Sequence, residues 1–304
     1  MKNPDRHSTT PNGARAEACL SEDQLSLTRH TPESKIRHPF SLWREMFRDL
    51  KASRELAWRL IIRDISAQYR QTVLGYFWAV FPPLVTSLVF ILLRSSAVME
   101  IEGIGIPYPA YVIMGTVFFQ LFVDALNAPL KVVTESKAIL LKINLPREAF
   151  ILSGMGQVLF SFSIKLILLV GIFVFYKVQV HWTIALLPIP LCGLLFLGTM
   201  LGVLLIPVGL LYKDIQSALL VATSGLVFLT PVAYPPSAGG MLGKIMSINP
   251  ITPLLMAAKD LVTRGIPANL TPFLIVMAFT FLFLLVGWVV YRLSLPIIIE
   301  RIGA

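Results

Sequence analysis

Two charged side chains lie in stretches that are otherwise almost wholly apolar. Lys165 sits in "FSFSIKLILL" and Asp124 in "FFQLFVDALN". A lysine at mid-membrane depth costs about 2.5–3.5 kcal/mol on insertion scales, so Lys165 must face a cavity or a partner, or stretch towards an interface. Counted by helical rise, Asp124 lies about 6 Å and Lys165 about 22 Å from the same side, so a direct pair is not expected. Other reactive patterns are missing from the sequence. The nearest approach to a phosphate-binding loop, "GGMLGKIM", has Ala238 in place of the first glycine and Ile245 in place of Ser or Thr. His7, His30, His38 and His181 are scattered and show no metal-ligand spacing. Cys19 and Cys192 are too far apart in character to imply a disulfide framework. No nucleophile elbow and no cluster of acids suited to hydrolysis occurs. The chemistry on offer is binding and passage, and no metal is expected.

The elements that position these residues are membrane helices. The 304 residues are 56% hydrophobic and 14% charged, against about 25% charged in ordinary globular domains. The fold class expected is all-α integral membrane. Six spans are read at about 74–94, 109–128, 150–176, 184–211, 215–234 and 271–291, each near the ~20 residues that cross a bilayer. They form one six-span transmembrane domain over 74–304. Residues 1–40 are polar, lack the apolar core of a secretory leader, and read as a disordered cytoplasmic tail. With the amino terminus inside, 20 Lys and Arg fall on inner segments and five on outer ones. Both termini are therefore expected in the cytoplasm. The net charge of +9 follows this topology, and no nucleic-acid partner is implied. The outer segment 235–270 reads as a pair of short re-entrant or interfacial helices. "ITPLLMAAKDLVTRG" would start with Thr252 as its cap and end at Gly265.

Two amphipathic patterns precede the first span, over 41–73. "SLWREMFRDL" aligns Trp43, Met46, Phe47 and Leu50. "LAWRLIIRDISAQYR" aligns Trp58, Ile61, Ile62, Ile65 and Tyr69, with Arg59, Arg63 and Arg70 opposite. Basic amphipathic helices with Trp on the apolar side lie in the membrane interface. Gly75 then lets the chain bend from lying flat to crossing. Further on, "GTMLG" from Gly198 to Gly202 permits close helix approach.

The string "LIIRDISAQYRQTVLGYFWAVFPPL" resembles the first-span entrance of type-2 ABC export permeases for polysaccharides. That family includes the O-antigen, capsule and teichoic-acid exporters. The matching residues are Arg63, Asp64, Tyr69, Arg70, Thr72, Leu74, Gly75, Trp78 and Pro83. "PYPAYVIMGTVFFQLF", "ESKAILLKINLPREAF", "LYKDIQSAL" and "PVAYPPS…INPITPLL" resemble later family segments in the same order. The resemblance implies a homodimeric permease of the bacterial cytoplasmic (inner) membrane, paired with two copies of a separate ABC ATPase that binds ATP and Mg. It exports a lipid-linked glycan and breaks no bonds itself. ATPase contacts would fall on Arg59, Arg63, Tyr69, Arg70, Glu135, Lys137, Lys142 and Arg147. Aromatic rings can line a glycan path without gripping one sugar. The path residues expected are Tyr76, Phe77, Trp78, Phe81, Phe228 and Tyr234, with Lys165. The rival readings are an exporter of drugs or small lipids, a membrane-bound transferase, and an ion-coupled carrier.

Overall fold

The computed structural model describes residues 39–70, 72, 74–96, 105–142, 146–212, 214–235 and 240–303. All but the last two residues of the expected tail lie outside them. The described residues contain helices and turns and no strand. In order the helices are α1 (Pro39–Arg70), α2 (Phe77–Ser95), α3 (Tyr108–Glu135), α4 (Lys137–Lys142), α5 (Glu148–Phe175), α6 (Pro188–Gly209), α7 (Asp214–Leu226), α8 (Gly240–Ile248), α9 (Ile251–Thr263) and α10 (Leu270–Gly303). The chain divides into Met1–Phe47 and Arg48–Ala304. Of the first unit only the opening turns of α1 are described, and the second holds everything that follows.

Among the described residues, five segments are long and apolar enough to cross a membrane: Phe77–Ser95, Tyr108–Glu135, Glu148–Phe175, Trp182–Gly209 and Leu270–Leu295. The span expected at 215–234 is different. Helix α7 has 13 residues, and turns occupy 227–234. Apolarity alone does not specify helix where neighbouring protein can satisfy irregular backbone. Here Lys259 supplies donors to the carbonyls of Pro231 and Val232, at 2.8 and 2.6 Å.

Helix α3 is the axis of the bundle. Its first two-thirds are buried almost all round, with α5, α6 and α9 packed against it. Gly198 and Gly202 let α6 approach closely. A Cβ on Gly198 would lie 2.6 Å from the Phe122 carbonyl, and one on Gly202 would collide with Leu126 and Pro129 of α3. The small-residue motif therefore serves packing within the chain. Helix α2 attaches to α3 through Ser87, whose hydroxyl lies 2.8 Å from that of Thr116.

The two amphipathic patterns form one continuous helix. The intervening "KASRE" carries no helix breaker, and Ser53 donates to the Asp49 carbonyl at 2.6 Å. The face of α1 that packs on protein is shifted from the expected stripe. Ala57 and Leu60 join Phe150, Val133, Tyr291 and Leu295 in a second, smaller core. Trp58 and Ile62 stay exposed, as suits a helix with one face on protein and another on lipid. The chain then turns at Gly75, whose φ of +49° is left-handed and costs a β-carbon-bearing residue roughly 1–2 kcal/mol. No atom lies within 4 Å of the position a Cβ would take there, so glycine serves the backbone angle alone.

Between the turns at 227–234 and α10 stand the expected pair of short helices, α8 and α9. Helix α9 is amphipathic and almost wholly buried. Its start differs from the expectation. Asn249 Oδ1 accepts from the Ile251 amide at 3.0 Å, while the Thr252 hydroxyl is buried without a partner. Its end is as read: Gly265, φ +96°, donates its amide to the Asp260 carbonyl at 2.8 Å.

Candidate functional site

A polar seam runs where α1, α3 and α5 meet. Helix α3 contributes Gln120, Asp124 and Asn127, spaced four and three residues apart and so on one face. Helix α5 contributes Ser153, Gln157 and Lys165. The Lys165 ammonium donates to Asp124 Oδ2, and Gln120 donates to the other carboxylate oxygen at 2.9 Å. Lys165 is 2% exposed. This overturns the expectation that the two would not meet. The depth count ended the second span at residue 128, whereas α3 continues to Glu135. By helical rise Asp124 stands about 16 Å from that end, and Lys165 about 25 Å from the start of α5. The lysine stem spans most of the difference.

Lower on the seam, Asp64 accepts from Gln157 Nε2 at 3.0 Å and from the Ser153 hydroxyl at 3.5 Å. Its other oxygen accepts from Arg63 Nε at 2.7 Å. Three rings close the seam. Tyr69 lies 4.6 Å from Tyr76, and Phe160 lies 6.2 and 6.0 Å from them, centroid to centroid. Burial, then the Asp124 charge, then Tyr76 push the Tyr69 phenol above its ordinary value. It stays protonated at any physiological pH. Tyr69 and Tyr76, read from the sequence into different roles, thus belong to one cluster. Phe160 was not singled out because phenylalanine in an apolar span carries no distinguishing signal.

The other path residues separate into two groups. Phe77, Trp78 and Phe81 are exposed and contact one another, with Phe81 5.8 Å from Phe77 and 5.5 Å from Trp78. Phe228 rests on Phe90 of α2 at 5.8 Å, and Tyr234 donates its hydroxyl to the Phe228 carbonyl. Tyr234 therefore braces the turns after α7.

Among the residues expected to meet an ATPase, Arg59 pairs with Glu55 at 2.6 Å on an open face, and Arg70 and Glu135 are exposed. Lys137 opens α4, the short helix of the 129–149 loop. Lys142 closes it, and its side chain lies outside the described residues. Arg147 is half-buried. Its carbonyl accepts from Tyr291 at 3.0 Å, and burial pushes its guanidinium below the ordinary value, opposed by Tyr291 and then Glu148.

Two charge clusters had no sequence signal. Arg292 on α10 donates to Asp49 of α1 at 2.6 Å and to Glu148 of α5 at 3.0 Å, tying three helices together. Lys259, counted from sequence as an outer charge, is 1% exposed. Its ammonium stands 4.0 Å from the Tyr111 ring centroid. Burial drives it well below its ordinary value, with Asp260 acting in the opposite sense.

Together these features define a multi-pass helical membrane protein whose polar groups lie along helix seams and at the two ends of the bundle. The chain is 23% identical over 214 residues to the O-antigen export system permease protein RfbA of Myxococcus xanthus, covering 69% of this chain and 81% of that protein. No family model matches the sequence. The resemblance to type-2 ABC export permeases, first read from the motif around Gly75, is supported by this relative.

Proposed function

We propose that this chain is the membrane subunit of an ABC exporter that moves a lipid-linked polysaccharide outward across a bacterial cytoplasmic membrane. One observation supports this beyond the relative. Helix α2 meets the turns after α7 at Phe90 and Phe228, yet α2 and α7 each leave a broad face bare. On α7 that face includes Gln216, Ser217 and Ser224. Amide and hydroxyl groups are poorly suited to lipid. A second copy facing these helices would enclose a path walled by polar groups and aromatic rings.

In this reading α7 and the turns after it cross together as a sixth passage, which leaves both termini on one side. The bias of Lys and Arg makes that side cytoplasmic. The arginine face of α1 and the α4 loop carry the ATPase, which holds ATP and Mg. Its closure widens and narrows the path, and this chain supplies no bond-breaking step.

The test is export. Cells lacking the chain should accumulate lipid-linked glycan inside and lose it from the surface. Wild type should restore display, and Tyr76→Ala should not, while still co-purifying with the ATPase. Unchanged surface glycan without the chain would reject the reading.

A further inference from the structure

Helix α7 is loosely held along its length. It buries Thr223 and leaves most of its other side chains exposed. The chain is fastened just after the helix ends, where Thr230, Pro231, Val232 and Ala233 are all buried. Three residues from other elements hold this point. Lys259 of α9 donates to the carbonyls of Pro231 and Val232 at 2.8 and 2.6 Å. Asn249, between α8 and α9, donates to the Thr230 hydroxyl at 2.9 Å and to the Leu229 carbonyl at 3.3 Å. Gly115 of α3 makes the room. A Cβ there would collide with the Val232 carbonyl and stand 2.8 Å from the Lys259 ammonium.

The element that carries Lys259 is firmly set. Helix α9 is almost wholly buried. Near its end, the carbonyls of Leu261 and Val262 accept from the Thr183 hydroxyl at 2.7 Å and the His181 amide at 3.4 Å. Nearer its start, Leu254 packs where Gly193 of α6 leaves room. Buried carbonyls outside a helix need a donor from elsewhere. Lys259 is 1% exposed, so its donors are released only if the turns part from α9. Parting them would strand two carbonyls and an ammonium together. One end of a loosely packed helix is thus tied to a well-packed one.

We propose that Lys259 is a positioning residue that pins the end of α7, leaving the helix to swing about that point. On the charge-bias orientation the pinned end is the outer one. The inference rests on the export reading for its biological meaning, in which α7 and Phe228 wall the glycan path. The wall then has a fixed outer end, and the path changes width towards the inner end of α7, at Asp214.

The test uses the full chain in lipid nanodiscs with Cys19→Ser and Cys192→Ser. Val232→Cys reports on the turns and Val133→Cys, in the second core, on the rest of the bundle; both positions are 0% exposed. Neither should react with a water-soluble maleimide. Adding Lys259→Met should speed labelling at position 232 at least fivefold and leave position 133 unlabelled. Gly115→Ala crowds the same carbonyl from α3 without touching a charge, and should do the same. Labelling at position 232 that stays slow in both variants overturns the proposal. So does equal acceleration at position 133, which would mean that the variants loosen the whole bundle. In cells, Lys259→Met should still co-purify with the ATPase but reduce surface glycan at least fivefold. Unchanged display despite faster labelling overturns the claim that the pin positions the path. If cells lacking the chain keep their surface glycan, the export reading falls instead, and the labelling result stands apart from it.

Discussion

At the scale of single residues, the Lys165–Asp124 pair makes the sharpest claim. Removing one partner of a buried pair leaves an uncompensated charge and costs about 3–5 kcal/mol, whereas replacing both is often close to neutral. Lys165→Met should therefore lower the unfolding temperature of the purified protein markedly. Lys165→Met with Asp124→Asn should recover most of the loss, because Gln120 still reaches the amide. Equal loss in the single and double variants would show that the pair does not matter. Gly75 offers a second test. Its φ of +49° with open space around it predicts that Gly75→Ala costs about 1–2 kcal/mol. Gly75→Asn should cost less, since Asn tolerates that region. Thermal unfolding in one detergent would rank them, and an Ala variant as stable as Asn would contradict the strain argument.

At the scale of elements, the proposed ATPase contact on α4 can be tested directly. Charge reversal at Lys137 and Lys142 should leave folding intact and reduce both ATPase co-purification and stimulated hydrolysis. Wild-type values for both would remove α4 from the docking surface. Arg147 is a poor probe, because its half-buried position beside Tyr291 and Glu148 couples its substitution to packing. Sequence periodicity made α1, α3, α5, α6 and α10 legible, since long apolar runs and amphipathic spacing leave few alternatives. It also marked the two short helices before α10. It failed at α7, where a largely apolar stretch of 20 residues forms a short helix and turns. The reason lies elsewhere in the chain, in Lys259, which supplies donors to carbonyls that a helix would have satisfied itself. The candidate site was legible as residue types such as Tyr76, Lys165 and Arg63. Its pairings were not, because Asp64 with Gln157 depends on where α1 meets α5, and Asp124 with Lys165 on how far α3 extends and where α5 crosses it.

At the scale of the whole molecule, Arg292 is the residue that connects distant parts of the sequence. Arg292→Met would remove the cation that bridges Asp49 and Glu148. It should lower stability and, if the proposed function holds, separate ATP hydrolysis from glycan export. Adding Glu148→Gln should restore part of the stability, with a coupling of about 0.5–3 kcal/mol between the two sites. Strict additivity would mean that the contact carries no energy. Helix α10 also runs without a proline from Phe273 to Arg292, about 29 Å by helical rise. One end packs on α9 and the other holds α1 through Asp49. A rod of that length resists compression far better than it resists tilting. A push on α1 can therefore reach the far end of the bundle as a displacement along a single strut, with no hinge between.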